Sequence, residues 1–290
     1  MTANERCVVV TGASTGIGEA CVGALIRAGF FVFGSVRRDE DARRLAERHG
    51  AEFAPLLFDV TDAVAIDSAR RTVEARLVGA TLAGLVNNAG VALPGPLLHQ
   101  PIEEFRRQLE VNLFGQLAVI QGFAPLLGAG AARRGAPGRI VNMSSVAGRM
   151  AMPFLGAYAA SKHALEGFSD SLRRELMLFG VDVIVIEPGV VATPIWDKAE
   201  RAGLERYEAT PFATSAERLR TQALEQGRKG LAPERVAAAV VRALTERRPP
   251  TRIPVAPSPL LDWLLPRLLP DRLIDRLIAK RLGLTPQREP

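Results

Sequence analysis

Short apolar runs alternate with longer amphipathic stretches along most of this chain, and few folds accept that rhythm. The runs are Cys7–Val10, Phe30–Phe33, Phe53–Phe58, Leu85–Val86, Arg139–Asn142 and Val181–Ile186, with Arg252–Val255 as a last strand. Between them lie helical patterns over about Ile17–Ala28, Asp39–Arg48, Ala63–Val78, a long stretch after Pro101, and about Leu155–Phe179. The strand runs do not alternate apolar with polar, as strands covered on both faces do not need to. Strand–helix repetition at this spacing predicts right-handed βαβ crossovers and an α/β fold with a doubly wound parallel sheet. We expect a single catalytic domain over residues 1–255, with a substrate lid at about 194–230, and a helical tail over 256–290.

Composition matters here mainly for what it excludes. The net charge is +6, but from Arg247 onward nine basic residues face four acidic ones, so the surplus sits in the tail and the body is near neutral. A local basic tail is not a nucleic-acid-binding body, and no nucleic-acid partner is expected. Cys7 falls in the first strand and Cys21 in the first helix, both as expected core residues, and with three histidines they offer no metal-ligand spacing. No charged leader precedes an apolar segment, and no apolar run reaches the roughly 18 residues that span a bilayer. The expectation is a metal-free cytoplasmic protein.

The turn after the first strand reads Thr11-Gly12-Ala13-Ser14-Thr15-Gly16-Ile17-Gly18. Glycines there let the backbone turn tightly and approach a pyrophosphate, which then rests on the N-terminus of the following helix. Its place between an apolar strand and a helix points to a dinucleotide site. At the end of the second strand an acid would bond a ribose 2′-hydroxyl, whereas a base would bind a 2′-phosphate. The residues are Ser35-Val36-Arg37-Arg38, and arginine's planar fork suits phosphate. Arg37 and Arg38 therefore predict NADP(H) as the preferred cofactor, with NAD(H) as the alternative. Asp59, followed by Val60 at the end of the third strand, is placed to accept from the adenine amino group or to cap the next helix. Asn87, Asn88, Ala89 and Gly90 end the fourth strand, where small polar residues can lie along a cofactor.

Tyr158 and Lys162 are four residues apart on a predicted helix and share a face. A free tyrosine titrates near pH ~10, and a neighbouring ammonium favours its phenolate. The pair is a candidate proton relay.

Taken in order, Thr11 to Gly18, Asn87 to Gly90, Asn112, Ser145, Tyr158, Lys162 and Pro188-Gly189 resemble the short-chain dehydrogenase/reductase family over about Cys7–Pro194. That resemblance implies a Rossmann fold and an oxidoreductase interconverting a ketone or aldehyde and an alcohol. It implies Tyr158 as general acid/base, and Lys162 as the residue that holds the nicotinamide ribose and depresses the tyrosine pKa. Ser145, thirteen positions before Tyr158, would hydrogen-bond the substrate oxygen, with Ser144 as the competing candidate. Asn112 resembles the family asparagine that interrupts a helix and positions a water beside the lysine. Pro188, Gly189, Val191 and Thr193 would hold the nicotinamide carboxamide, through the Val191 backbone and the Thr193 hydroxyl. The chain departs from many NADP-preferring relatives at Ser14-Thr15, where they carry a base.

Val146, Met150, Met152, Phe154 and Leu155 lie between Ser145 and Tyr158, and Ile195, Trp196 and Phe212 follow Thr193. If they line the pocket, the substrate is lipophilic and uncharged, such as a steroid-, retinoid- or lipid-like alcohol or ketone. The tail carries Leu260, Leu261, Trp263, Leu264, Leu265, Leu268 and Leu269, then Leu273, Ile274, Leu277, Ile278 and Leu282, with arginines interleaved. Such a basic amphipathic pair of helices either packs on its own domain or a sister subunit, or lies on a membrane surface. A homo-dimer or tetramer is expected. Two rival functions use the same fold: a nucleotide-binding redox sensor without turnover, and a peripheral membrane scaffold.

Overall fold

Each apolar run becomes a strand. In the computed structural model, which describes residues 6–130, 132–194, 204–258 and 268–285, β1 spans Arg6–Val10, β2 Phe30–Val36, β3 Phe53–Leu57, β4 Gly84–Asn87, β5 Arg139–Met143, β6 Asp182–Pro188 and β7 Arg252–Val255. They form one seven-stranded sheet in the order β3-β2-β1-β4-β5-β6-β7, parallel throughout.

Parallel neighbours cannot be joined by hairpins, so helices make the crossovers. These are α1 (Gly16–Arg27), α2 (Asp39–His49), α3 (Ala63–Leu77), α4 (Ile102–Leu109), α5 (Gly115–Phe123), α6 (Gly156–Glu175), α7 (Ala213–Arg228) and α8 (Pro233–Thr245). Period-two alternation divides the β1 side chains between two cores. Val8 and Val10 pack on one face with Leu25 of α1 and Val236 and Val240 of α8. Cys7 and Val9 pack on the other with Phe31, Phe33, Val73 and Phe123. Full burial of each such side chain is worth roughly 1.5–3 kcal/mol, so both layers hold the sheet.

Among the boundaries that differ from the sequence expectation, three change the local structure most. β2 continues through Gly34 to Val36, which carries Ser35 into the sheet. The long helix after Pro101 is broken by a π turn at Glu110–Phe114. The helix ending near Phe179 closes in a 3₁₀ turn over Leu176–Phe179, stopped by Gly180 at φ 69°.

β1 has β2 on one side and β4 on the other, so the direction of winding reverses between β1 and β4. Ligands of such sheets bind in the crevice outside the carboxyl ends of the strands at that switch point. The tail helix α9 (Asp271–Leu282) rests on α7, where Arg281 Nε donates to Gln222 Oε1 at 2.7 Å and Leu282 is wholly buried. Ile195, Trp196 and the run Leu260 to Leu265 lie outside the described residues.

Candidate active site

The glycine turn is tied to both strands of the switch point. Thr11 N–H donates to the Val86 carbonyl at 2.9 Å, and Thr11 Oγ1 accepts from the N–H groups of Asn88 at 2.9 Å and Ala89 at 3.0 Å. Asn88 Nδ2 returns to the Thr11 and Gly12 carbonyls at 3.0 and 3.2 Å. Gly12 has φ +65°, and a Cβ there would meet the Ala89 Cα at 2.9 Å. A Cβ at Gly18 would fall 2.1 Å from the Gly12 carbonyl oxygen. Thr15, at the N-cap of α1, makes no side-chain capping bond. The first turn of α1 thus presents N–H donors and a positive dipole end at a cradle that only glycines allow, which fits a dinucleotide pyrophosphate.

Ser35 near the end of β2 braces the glycine turn, its Oγ accepting from Gly12 N–H at 3.0 Å. Arg37 Nη1 lies 3.5 Å from Asp59 Oδ2, and both groups are open to solvent. Arg38 is held by Asp41 through Nε at 2.9 Å and Nη2 at 3.2 Å. Asp59 accepts from Thr61 N–H at 3.0 Å and its hydroxyl at 2.8 Å. Burial works against its charge, but these bonds and Arg37 outweigh it and hold the carboxyl below the usual range. The cap of α3 is Asp62, which accepts from Ala65 N–H at 2.9 Å, so Asp59 is not needed for capping. The Val60 side chain is buried, tight against Gly115. No base stands at Ser14-Thr15, yet Arg44 of α2 reaches there: its guanidinium donates to the Ser14 carbonyl and, at 2.9 Å, to Glu19.

Tyr158 and Lys162 stand on one face of α6, with the ammonium 5.7 Å from the phenol ring centroid. Lys162 is buried, and its Nζ donates to the Met143 carbonyl at the end of β5 at 2.7 Å. Burial lowers the lysine pKa to about 8, while the Glu166 carboxylate one turn on opposes the fall. The tyrosine corrects an expectation. Its pKa is raised, not depressed, because burial disfavours the phenolate and only a hydrogen bond with Ser145 pulls the other way. The ammonium is spent on Met143 rather than on the phenol oxygen.

Between the two candidate serines the geometry discriminates. Ser145 Oγ reaches Tyr158, accepts from Ala147 N–H at 3.1 Å and donates to the Pro188 carbonyl at 3.4 Å. Ser144 Oγ is buried without a partner beside Gly148. Asn112, in the π turn, is also fully buried. Its amide clamps Val91, accepting from N–H at 2.8 Å and donating to C=O at 2.9 Å, and donates to Ser161 Oγ at 3.0 Å. Asn87 Nδ2 donates to Asn142 Oδ1 at 3.0 Å, and Asn142 Nδ2 to Ser169 Oγ at 2.9 Å, tying β4, β5 and α6 together.

After β6, Gly189 N–H donates to the Val255 carbonyl at 2.9 Å. Val191 pairs with Leu231 in a bridge whose bonds come from Val190 and Ala192. A Cβ at Gly16 would meet Thr193 at 3.1 Å, so the glycine turn and the segment carrying Thr193 face one another. Gly90 lies close to Asn112 Oδ1. Phe154, four residues before Tyr158, is buried with φ +64°, a costly conformation for a bulky residue, and its carbonyl accepts from Gly95 N–H at 2.8 Å. Its ring stacks edge-on with Phe212 at 6.0 Å between centroids, and Phe212 with His99 at 5.8 Å.

Sequence reasoning placed Thr11 and Ser35 in the cofactor motifs but not their side-chain bonds, and it did not find Arg44 or a cluster of Arg149, Glu166, Glu187 and Arg252 behind Lys162. Each acts on a partner far away in sequence, which spacing motifs do not report.

The chain is similar to known proteins over most of its length. A model of the short chain dehydrogenase family matches residues 6–203. The chain is 42% identical over 256 residues to an NADPH-dependent 3-dehydrocapnine reductase of Ornithobacterium rhinotracheale, covering 88% of this chain and 90% of that protein. It is 37% identical over 196 residues to retinol dehydrogenase 16 of Mus musculus, covering 67% of this chain and 60% of that one. Among solved structures it superposes on a short chain dehydrogenase/reductase from Burkholderia phymatum in complex with NAD, with a TM-score of 0.76, 27% identity and 96% of each chain covered.

Proposed function

The chain belongs to the short chain dehydrogenase family and is an NAD(P)-dependent oxidoreductase acting on carbonyl and CH–OH groups, and we propose that its substrate is a lipophilic ketone, aldehyde or alcohol handled with NADP(H) in preference to NAD(H). The observation that carries the reading is that Ser145, in the turn after β5, reaches Tyr158 of α6, whose neighbour Lys162 is tied to the carboxyl end of β5. The retinol dehydrogenase among its relatives and the aromatic pair of Phe212 with Phe154, four residues before Tyr158, support an apolar substrate.

Gly12, Ser14, Thr15, Gly16, Ile17 and Gly18 would hold the pyrophosphate, Arg37 and Arg38 the 2′-phosphate, and Asp59 with the Val60 backbone the adenine. Asn88, Ala89 and Gly90 would line the middle of the cofactor, and Pro188, Gly189, Val191 and Thr193 the carboxamide. Bound NADP(H) supplies or accepts the hydride. Tyr158 gives its proton to the carbonyl oxygen in reduction and takes it from the alcohol in oxidation. Ser145 hydrogen-bonds that oxygen and steadies the phenol. Lys162, anchored on Met143, would hold the ribose and supply positive charge under the site. Asn112 sets the position of Val91 and Ser161 beside α6.

Turnover of NADPH against a graded ketone panel tests the substrate reading. Bulky apolar ketones are expected to exceed small polar ones at least ten-fold in kcat/KM, and equal rates would overturn it.

The tail belongs in the same proposal. In this reading residues 1–255 are the catalytic domain, α7 belongs to the substrate lid, and the tail over 256–290 covers that lid; the packing of α9 on α7 supports it. Ending the chain at Ser258 is expected to raise KM for bulky ketones several-fold and to lower solubility, with cofactor affinity kept. Unchanged kinetics on a water-soluble ketone, with loss of liposome binding only, would assign the tail to a membrane surface instead. The exposed Ile102 and Phe114 on the α4–α5 face support self-association as a dimer or tetramer. Among the described residues no helix is long and apolar enough to cross a membrane.

A further inference from the structure

Behind Lys162, two buried glutamates and two partly buried arginines meet from four segments of the chain. Arg149, in the segment after Ser145, donates through Nε to Glu187 Oε1 at 3.0 Å and through Nη2 to Glu166 Oε2 at 2.8 Å. Arg252 of β7 donates through Nε to the same Glu166 Oε2 at 3.0 Å, lies 3.8 Å from Glu187 Oε1, and pairs with Asp170 Oδ1 at 2.9 Å. The two glutamates are 4% and 0% exposed, so neither charge is relieved by solvent. One guanidinium grips both carboxyl groups, which places them side by side.

Each member belongs to an element that carries a site residue. Glu166 stands one turn beyond Lys162 on α6, Glu187 immediately precedes Pro188-Gly189, and Arg149 follows Ser145 by four positions. Glu166 Oε1 is buried and has no hydrogen-bond donor if both glutamates are ionised. Burial and the neighbouring Glu166 raise the Glu187 pKa against the pull of Arg149. A proton on Glu187, donated to Glu166 Oε1, accounts for both facts, since two buried carboxylates side by side do not both ionise easily.

We propose that Glu166 is a positioning residue for the reaction, fixed by Arg149 and Arg252, sharing one proton with Glu187, and keeping the Lys162 ammonium charged beneath Tyr158. Two arginines and the lysine then face one full carboxylate, one shared proton and the half-exposed Asp170. Among the described residues the charged and titratable groups drawn into this account are Tyr158, Lys162, Glu166 and Asp170 of α6, Arg149 after β5, Glu187 of β6 and Arg252 of β7. The proposal rests on Lys162 acting as assigned above.

Two arms test it. In Glu166→Gln the opposing charge beside Lys162 is gone, so the alkaline limb of the kcat profile should move to lower pH by about 1 unit. Glu166→Asp should bring it part of the way back. A folded E166Q whose profile superimposes on the wild type overturns the proposal, because a merely structural residue would leave the limb in place. The second arm does not depend on turnover. A group whose folded pKa is raised loses its stabilising contribution as pH climbs from the ordinary glutamate range, ~4.3, through the raised value. The melting temperature of the wild type should fall across that window, and in Glu187→Gln, which mimics the protonated acid, that fall should be absent. An E187Q protein that does not fold, or that keeps the wild-type fall, overturns the shared proton whatever E166Q does. If Tyr158→Phe keeps its rate, the active-site reading fails while the melting arm still reports on the glutamate pair.

Discussion

Replacing Tyr158 by phenylalanine is expected to cut kcat by at least 100-fold while NADPH still binds. A positioned acid/base contributes roughly 10²–10⁴ to a rate, and nothing else described at the site offers a proton at that place. Ser145 is hydrogen-bonded to the phenol and to Pro188, and Lys162 is turned to Met143. Phenylalanine keeps the ring and its packing, so the glycine turn and the sheet edge stay as they are. Fluorescence titration with NADPH and single-turnover rates on one ketone measure the two quantities separately. A variant that keeps more than a tenth of the wild-type rate at saturating substrate would remove Tyr158 from the chemistry.

The second large effect is on cofactor choice. Substituting Arg37 and Arg38 together with uncharged residues should weaken NADP(H) relative to NAD(H) by ten-fold to several hundred-fold. Only NADP(H) carries the 2′-phosphate, and a hydrogen bond to a charged group is worth roughly 1.5–3 kcal/mol. The two arginines should not contribute equally. Arg38 already gives two donors to Asp41, whereas Arg37 has a looser partner in Asp59 at 3.5 Å. Arg37→Ala alone should therefore cost more than Arg38→Ala. Arg44→Ala is the informative third variant, because Arg44 stands beside Ser14, where the glycine turn itself lacks a base. Equal KM values of the unsubstituted enzyme for the two cofactors would refute this account of Arg37 and Arg38.

Local spacing made much of this molecule legible. A glycine turn after an apolar strand, and a tyrosine one helical turn before a lysine, each concern residues that are neighbours in both sequence and space. The seven strands were readable because a buried parallel strand must be apolar on both faces. Side-chain commitments across the fold were not readable. Nothing near Arg44 in sequence indicates that it spans to Ser14, and Glu166 looks like one more helical acid until β6 and β7 bring Glu187 and Arg252 to it. The tyrosine pKa failed for a related reason. The four-residue spacing gives proximity, but the direction of the shift depends on burial and on where the ammonium points, and the Met143 carbonyl decides that.

The two cysteines carry a consequence for measuring how this enzyme opens. Cys7 lies in the core on one face of the sheet and Cys21 in the core on the other, at 2% and 0% exposure. Burial pushes the Cys21 thiol up to about 12, so at neutral pH it is neither accessible nor ionised for alkylation. Alkylation of either sulfur then requires its own layer of helices to lift from the sheet. Single-cysteine variants would time the two layers independently, and a difference between their rates would reveal which side of the molecule breathes first.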